Sequence, residues 1–193
     1  MSFKTIYLTG APASGKSTTA SKLSDAIEHL EVWEYGARLT AYLRERNGDI
    51  KDQVELRELS AGRVLPEDIV AVDKRLISFV KSNRTNRHII VDSHPVTKEE
   101  YGFRITAFSQ KCIRELNPDE IWILYTSPEV AVERISRDAQ GRPNISIEEA
   151  RMHTALQSSV AANYGVILGR PVYLFDTDRP QEEIVARLSK RLQ

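Results

Sequence analysis

Near its amino terminus the chain reads Gly10-Ala11-Pro12-Ala13-Ser14-Gly15-Lys16-Ser17, and this stretch constrains the fold more than anything else in the 193 residues. A glycine, four open positions and then Gly-Lys-Ser is the composition of a loop that wraps a polyphosphate. The glycines let the backbone turn sharply and approach the anion, so that successive N–H groups point at it. Lys16 then reaches the β- and γ-phosphates, and the Ser17 hydroxyl is a ligand for Mg²⁺. With average residue usage the pattern arises by chance with a probability of about 4 in 100,000 per position, or roughly 1% over a chain of this length. Its surroundings reduce that further. The apolar run Phe3 to Thr9 precedes it, and Ala20, Leu23, Ile27 and Leu30 follow at helical spacing.

The same alternation continues down the chain. His88 to Asp92, Ile121 to Tyr125, Val172 to Phe175 and the shorter Val32 to Tyr35 read as further strands, separated by helical patterns. Ser127-Pro128-Glu129 carries an N-cap, a proline at the first helical position and an acid in the first turn, and Ser146 with Glu149 forms a capping box. Strands too far apart for hairpins imply a parallel sheet covered on both faces. The expectation is one α/β domain over residues 1–193, with three layers around a central five-stranded parallel sheet. Residues 37–83 hold only helical patterns, are long for a simple crossover, and read as an inserted helical region. Asp138 to Ile145 is polar, carries Gly141 and Pro143, and reads as a mobile loop within a short lid at 137–146.

Composition excludes several alternatives. Apolar residues make up 41%, enough for a full core, and 27 basic residues balance 27 acidic ones, so no charged tail points to a nucleic-acid or membrane partner. A single cysteine, Cys112, rules out an intramolecular disulfide framework and suits the cytoplasm. No stretch approaches the ~20 apolar residues of a membrane span. Cys112 shares an apolar face with Ile105, Phe108 and Leu116 and reads as a core thiol, and His29, His88 and His153 read as structural.

Two further groups of residues gather around the loop. Ile89-Ile90-Val91-Asp92 is an apolar strand ending in a carboxylate, the place from which an acid helps to hold Mg²⁺ beside a phosphate loop. Ser93 and His94 follow at the carboxyl edge of the sheet, where α/β folds place their ligands, and His94 is a candidate there. Phosphoryl transfer also demands positive charge around the equatorial oxygens. Arg134, Arg137 and Arg142 lie in or beside the 137–146 loop, where closure would bring them onto the phosphates. Arg38, Arg44 and Arg57 belong to the 37–83 region, where they either clamp an acceptor phosphate or are surface charges.

Together these segments resemble the adenylate kinases of archaeal type, within the nucleoside monophosphate kinase group of P-loop proteins. The resemblance is carried by Gly10–Thr18, Val91-Asp92-Ser93-His94, Glu115-Leu116-Asn117-Pro118-Asp119, Arg134 with Arg137-Asp138…Arg142, and Tyr164-Gly165-Val166…Gly169. It implies a P-loop NTPase core with an acceptor-binding insertion at 37–83 and a lid that closes over ATP. By that resemblance Gly10, Ala13, Ser14, Gly15, Lys16, Ser17, Thr18 and Arg134 hold the donor nucleotide. Lys16, Arg137 and Arg142, with Asp92, act on the transferring phosphoryl, Ser17 and Asp92 hold Mg²⁺, and Gly36, Arg57 and His94 line the acceptor site. Three departures stand out. Ala13 replaces a glycine, Ala37 follows Gly36 where the family tends to have Thr, and Tyr101-Gly102-Phe103-Arg104 replaces a Gly/Pro/Leu-rich stretch near the expected acceptor base.

The leading expectation is therefore ATP-dependent phosphoryl transfer to a nucleoside monophosphate, with small-molecule nucleotides as its partners. Two alternatives stay open: a P-loop kinase of another small metabolite, and a nucleotide-dependent regulatory ATPase.

Overall fold

Alternation of side chains along a buried strand sets the layering. On β1 (Thr5–Gly10), Ile6 and Leu8 face one side of the sheet and Tyr7 and Thr9 the other, and all six residues are buried. The computed structural model describes residues 2–47, 64–137 and 144–193. After β1 come α1 (Lys16–Ala26), β2 (Leu30–Glu34), α2 (Tyr35–Asn47), α3 (Pro66–Asn83), β3 (His88–Asp92), β4 (Val96–Glu99) and β5 (Gly102–Ile105). The chain continues through α4 (Gln110–Leu116), β6 (Glu120–Tyr125), α5 (Pro128–Arg137), α6 (Ile147–Leu168), β7 (Val172–Asp176) and α7 (Gln181–Leu192). Among the described residues no helix is long and apolar enough to cross a membrane.

Five strands form one parallel sheet in the order β2-β3-β1-β6-β7. Ile6, Leu8, Ile90, Trp122 and Leu124 pack against Ala20 and Leu23 of α1 and Ile184, Leu188 and Leu192 of α7. On the other face Tyr7, Ile89, Val91, Ile121 and Ile123 meet α3, α4 and α6. The expected three-layer α/β architecture with its five parallel strands is therefore the observed one. Each fully buried Leu or Ile of these two layers contributes on the order of 1.5–3 kcal/mol relative to exposure.

Local signals explain the helix ends. Ser146 Oγ accepts from the Glu149 N–H at 3.1 Å while the Glu149 carboxylate accepts from the Ser146 N–H at 2.9 Å, the capping box expected for α6. Pro66 starts α3, where the Asp68 carboxylate accepts from the Leu65 N–H at 2.9 Å and also pairs with Arg46 of α2.

Two features differ from the sequence reading. The helix α1 stops at Ala26 rather than running to Leu30. His29 turns the chain at φ 59°, and Leu30 belongs to β2, whose last residue is Glu34. The helical spacing of Ile27 and Leu30 is coincidental, because both pack, partly buried, against the core under α1 and α7 although only a strand starts at Leu30. Secondly, β4 and β5 form an antiparallel hairpin outside the main sheet, Val96 pairing with Ile105 and Glu99 with Gly102. Of the 37–83 region, the described residues belong to α2, to α3 and to the two residues before α3, and Leu39, Leu43 and Val72 of the helices pack together.

Candidate active site

The phosphate loop leaves the carboxyl end of β1 at the centre of the sheet and enters α1. Its geometry depends on its small residues. A Cβ on Gly10 would lie 2.5 Å from both Leu124 O and Ser14 Oγ, so only glycine permits this approach of β1, β6 and the loop. Gly15 is the N-cap of α1 at φ 75°, a left-handed conformation that glycine adopts without penalty. Ala13 sits in the same region at φ 64°, where its Cβ costs roughly 1–2 kcal/mol. The substitution noticed in the sequence thus falls on a position whose backbone favours glycine.

The amino end of α1, like that of α2, carries no acid and differs in this from three other long helices. The helices α3, α6 and α7 each carry two acids in the first turn, whereas α1 has none and no side-chain cap. Its first N–H groups and the positive end of its dipole therefore meet no acidic side chain of its own first turn. Ser14 Oγ is buried without a hydrogen-bond partner, and Ser17 and Thr18 are exposed on the first turn. Such an arrangement fits a bound polyphosphate.

Lys16 and Asp92 form a buried ion pair across the β1–β3 junction, with 7% and 4% of their surfaces exposed. Parallel pairing of Leu8 with Asp92 brings them together. His94 Nδ1 stands 3.9 Å from Asp92 Oδ1 and its side chain is half exposed, so the imidazole borders the same edge.

Arg134, expected beside the 137–146 loop, reaches the phosphate loop from α5 and holds backbone carbonyls. Nη1 donates to Ala13 O at 3.1 Å and Nη2 to Thr177 O at 3.0 Å. It thereby joins α5, the phosphate loop and the β7–α7 turn. Arg137 ends α5, exposed, and pairs with Glu133 one turn back at 2.5 Å. Arg38 stacks its guanidinium 4.7 Å from the Trp33 ring centroid. Gly36 opens α2, and a Cβ there would meet nothing within 4 Å. Arg57 and Arg142 lie outside the described residues.

Sequence reasoning missed two supports of this site. Asp178 accepts from Thr126 Oγ1 and, at 3.0 Å, from the Ser127 N–H, closing the β7–α7 turn against the start of α5. Burial raises its carboxyl pKa, but those hydrogen bonds and the Arg134 charge outweigh burial and hold it below the usual range. On the opposite side, Gln157 of α6 donates to Thr9 Oγ1 at 2.5 Å, and Thr9 Oγ1 donates to Ser93 O at 2.7 Å. Isolated polar residues in a helix and a turn carry no motif. The only available signal was Gln157 standing among apolar positions of a long helix.

Away from the site, Lys4, Phe175, Arg187, Lys190, Arg191 and Gln193 line a shallow recess of ≈ 520 Å³. It contains no residue of the phosphate loop, and Lys4 and Arg191 are both neutralised by Glu120, at 3.1 and 2.9 Å.

A parallel sheet of this order, with its phosphate loop at the central strand and a carboxylate on the neighbouring one, defines a P-loop protein of the kinase type. Residues 9–151 match the family described as AAA domain, and the chain belongs to it. The adenylate kinase of Methanothermobacter thermautotrophicus is 23% identical over 181 residues, covering 93% of this chain and 94% of that protein. The dephospho-CoA kinase of Staphylococcus aureus is 30% identical over 178 residues, covering 81% and 78%. An unliganded sugar kinase from Janibacter sp. shares the fold, with a TM-score of 0.57 at 16% identity over 97% of this chain and 93% of that one. The protein is a P-loop kinase, and hence a phosphotransferase.

Proposed function

We propose that the chain transfers the γ-phosphoryl of ATP to a nucleoside monophosphate, yielding ADP and a nucleoside diphosphate, in the cytoplasm. The observation that carries this reading is the buried Lys16–Asp92 pair at the mouth of the phosphate loop. An ammonium held there exchanges one anion for another. When a triphosphate enters the loop, Lys16 moves from Asp92 to the β/γ oxygens, and Asp92 is freed. The adenylate kinases that resemble the chain over nearly its full length support a phosphate as the acceptor.

Transfer is direct. An acceptor phosphate oxygen forms the new P–O bond to the γ-phosphorus as the β–γ bridging P–O bond breaks, and ADP leaves with its electron pair. The loop N–H groups and Lys16 stabilise charge on the equatorial oxygens. The hard oxygen donors of Ser17 and Asp92 suit Mg²⁺, which when bound supplies further neutralisation of the phosphate charge. Arg137 and Arg142 in the 137–146 lid, with Gly36, Arg57 of the 37–83 region and His94 after β3 on the acceptor side, complete the proposed site.

One observation favours a second reading. His94 beside Asp92 places an imidazole and a carboxylate where a hydroxyl acceptor would lose its proton. The dephospho-CoA kinase relatives make such a small-metabolite acceptor the alternative. ATP consumption measured against a panel of nucleoside monophosphates and hydroxyl metabolites separates the two. Turnover with AMP, CMP, GMP or UMP supports the first reading, and turnover with a hydroxyl acceptor alone replaces it with the second. ADP formation independent of any acceptor overturns both in favour of a regulatory ATPase.

A further inference from the structure

The helix α6 carries Glu149, His153 and Gln157 at four-residue intervals, which places them on one face. Each holds the chain that leaves the carboxyl edge of β3. Gln157 reaches Ser93 O through Thr9 Oγ1. His153 Nε2 lies 3.1 Å from Val96 O, and because a carbonyl only accepts, that nitrogen carries the proton. Glu149 pairs with Lys98 Nζ at 3.2 Å. The Phe103 ring of β5 meets the His153 ring edge-on at 5.2 Å, and Lys98 Nζ lies 5.6 Å from the Phe103 centroid. The three partners Ser93, Val96 and Lys98 bracket His94 and the start of the hairpin.

Burial gives this stripe a cost that packing alone would not require. His153 and Gln157 are buried in a helix whose other inward residues, such as Ala150 and Ala161, are apolar. Gln157 Oε1 is buried without a partner next to the same contact, at a cost of order 1–3 kcal/mol. Apolar residues would pack α6 as well, but they could not fix the direction of a backbone carbonyl. A polar stripe retained at such a cost specifies position rather than stability.

We propose that the Glu149–His153–Gln157 face of α6 is a positioning device for the acceptor side of the site. It sets the path of residues 93–99, and with it His94, relative to the phosphate loop. The proposal deepens the reading of the β1–β3 edge as the place of phosphoryl transfer and rests on it. Its members have separable effects. His153 and Glu149 hold only the hairpin side, whereas Gln157 also holds Thr9, the residue before Gly10. His153 variants should therefore alter the acceptor KM, and Gln157 variants the KM of both substrates.

The test compares His153→Leu, which removes the donor, with His153→Gln, whose Nε2 donates at similar reach. Hydrogen exchange by mass spectrometry is read over residues 93–105, alongside kinetics with ATP and AMP. In His153→Leu, exchange over 93–105 should rise about five- to thirtyfold while the rest of the sheet stays protected. The AMP KM should rise at least about fivefold and the ATP KM stay within about twofold, the shift expected from losing one buried hydrogen bond on the acceptor side alone. His153→Gln should restore both. Unchanged exchange over 93–105, exchange raised equally throughout the chain, or faster local exchange with an unchanged AMP KM would each overturn the proposal. If the parent uses none of AMP, CMP, GMP and UMP, the nucleotide reading fails, and the exchange comparison still decides whether His153 positions this segment; if it uses one other than AMP, the acceptor KM is read with that one. Should His153→Leu not fold, Lys98→Met removes the Glu149 pair and should raise exchange over 93–105 about two- to fivefold, with no rise counting against the proposal.

Discussion

The guanidinium of Arg134 donates to the carbonyl oxygen of Ala13 at 3.1 Å, so the strained residue of the phosphate loop is clamped from outside. A left-handed alanine persists only where its surroundings over-determine it. Here the clamp is doubled, because the same guanidinium holds Thr177 O at 3.0 Å. Arg134 thus shapes the loop that receives the donor before any donor arrives.

Losing that clamp should cost donor binding first. Arg134→Met removes both hydrogen bonds and should raise the ATP KM about tenfold, roughly 1.4 kcal/mol, for a partly exposed charged donor. Arg134→Lys, with one compact ammonium, should recover only part of it. Isothermal titration with a non-hydrolysable ATP analogue checks the order parent, Lys, Met.

Ala13 itself offers a backbone test. Ala13→Val puts a β-branched side chain at φ 64° and should lower the melting temperature by several degrees, since about 1 kcal/mol moves a chain of this size by about 2–4 °C. Ala13→Gly should be neutral to stabilising by up to about 1 kcal/mol. There the relief of strain is partly offset by the entropy of an unfolded glycine. Thermal unfolding of the three proteins, all without nucleotide, reads the difference.

The Lys16–Asp92 pair predicts a non-additive cycle. Asp92→Asn leaves a buried ammonium with no counter-charge and should destabilise the nucleotide-free protein by about 3 kcal/mol. Lys16→Met with Asp92→Asn together should cost less than the sum of the two single changes. Denaturant unfolding of the four proteins tests this, and strict additivity would mean that the two groups are not coupled.

Much of this was legible before the structure. The strands β3, β6 and β7 fall within a residue of their expected limits, because apolar runs bounded by helical patterns leave few options in a parallel sheet. The β4–β5 hairpin was not legible. Its strands are four residues long, and Thr97, Lys98 and Glu99 offer no apolar alternation. His153 read as structural for want of a partner at ligand spacing, and its partner proved to be a backbone carbonyl, which no side-chain pattern encodes. That Asp92 borders the phosphate loop was legible, because the loop motif and an acid-ended strand each demand a fixed place in the sheet; its ion pair with Lys16 was not.

The buried histidines predict the direction of pH dependence. Burial holds the imidazoles of His153 and His88 below their usual value of 6.5, with Lys98 and Lys4 adding repulsion. The unfolded chain takes up these protons near 6.5 and the folded chain only at lower pH. Their contribution to stability is therefore complete above about 6.5 and is lost as pH falls toward the folded values. The denaturation midpoint should drop between pH 7.5 and 5.5, and His153→Gln should flatten that drop while His88 preserves part of it.

Cys112 should be chemically silent. Burial, reinforced by the neighbouring Asp73 carboxylate, pushes its thiol up to about 12, so almost no thiolate exists at pH 8. A thiol reagent should label the native protein far more slowly than the unfolded chain, which should titrate one group. Rapid labelling of the native protein would place the thiol in solvent.

The most direct test of phosphoryl transfer follows the label itself. With γ-³²P-ATP and AMP, the parent should move the label into the β-phosphate of newly formed ADP, and Lys16→Ala should move essentially none. Label released as inorganic phosphate at the same rate with and without AMP, or transfer that survives Lys16→Ala, would contradict the account.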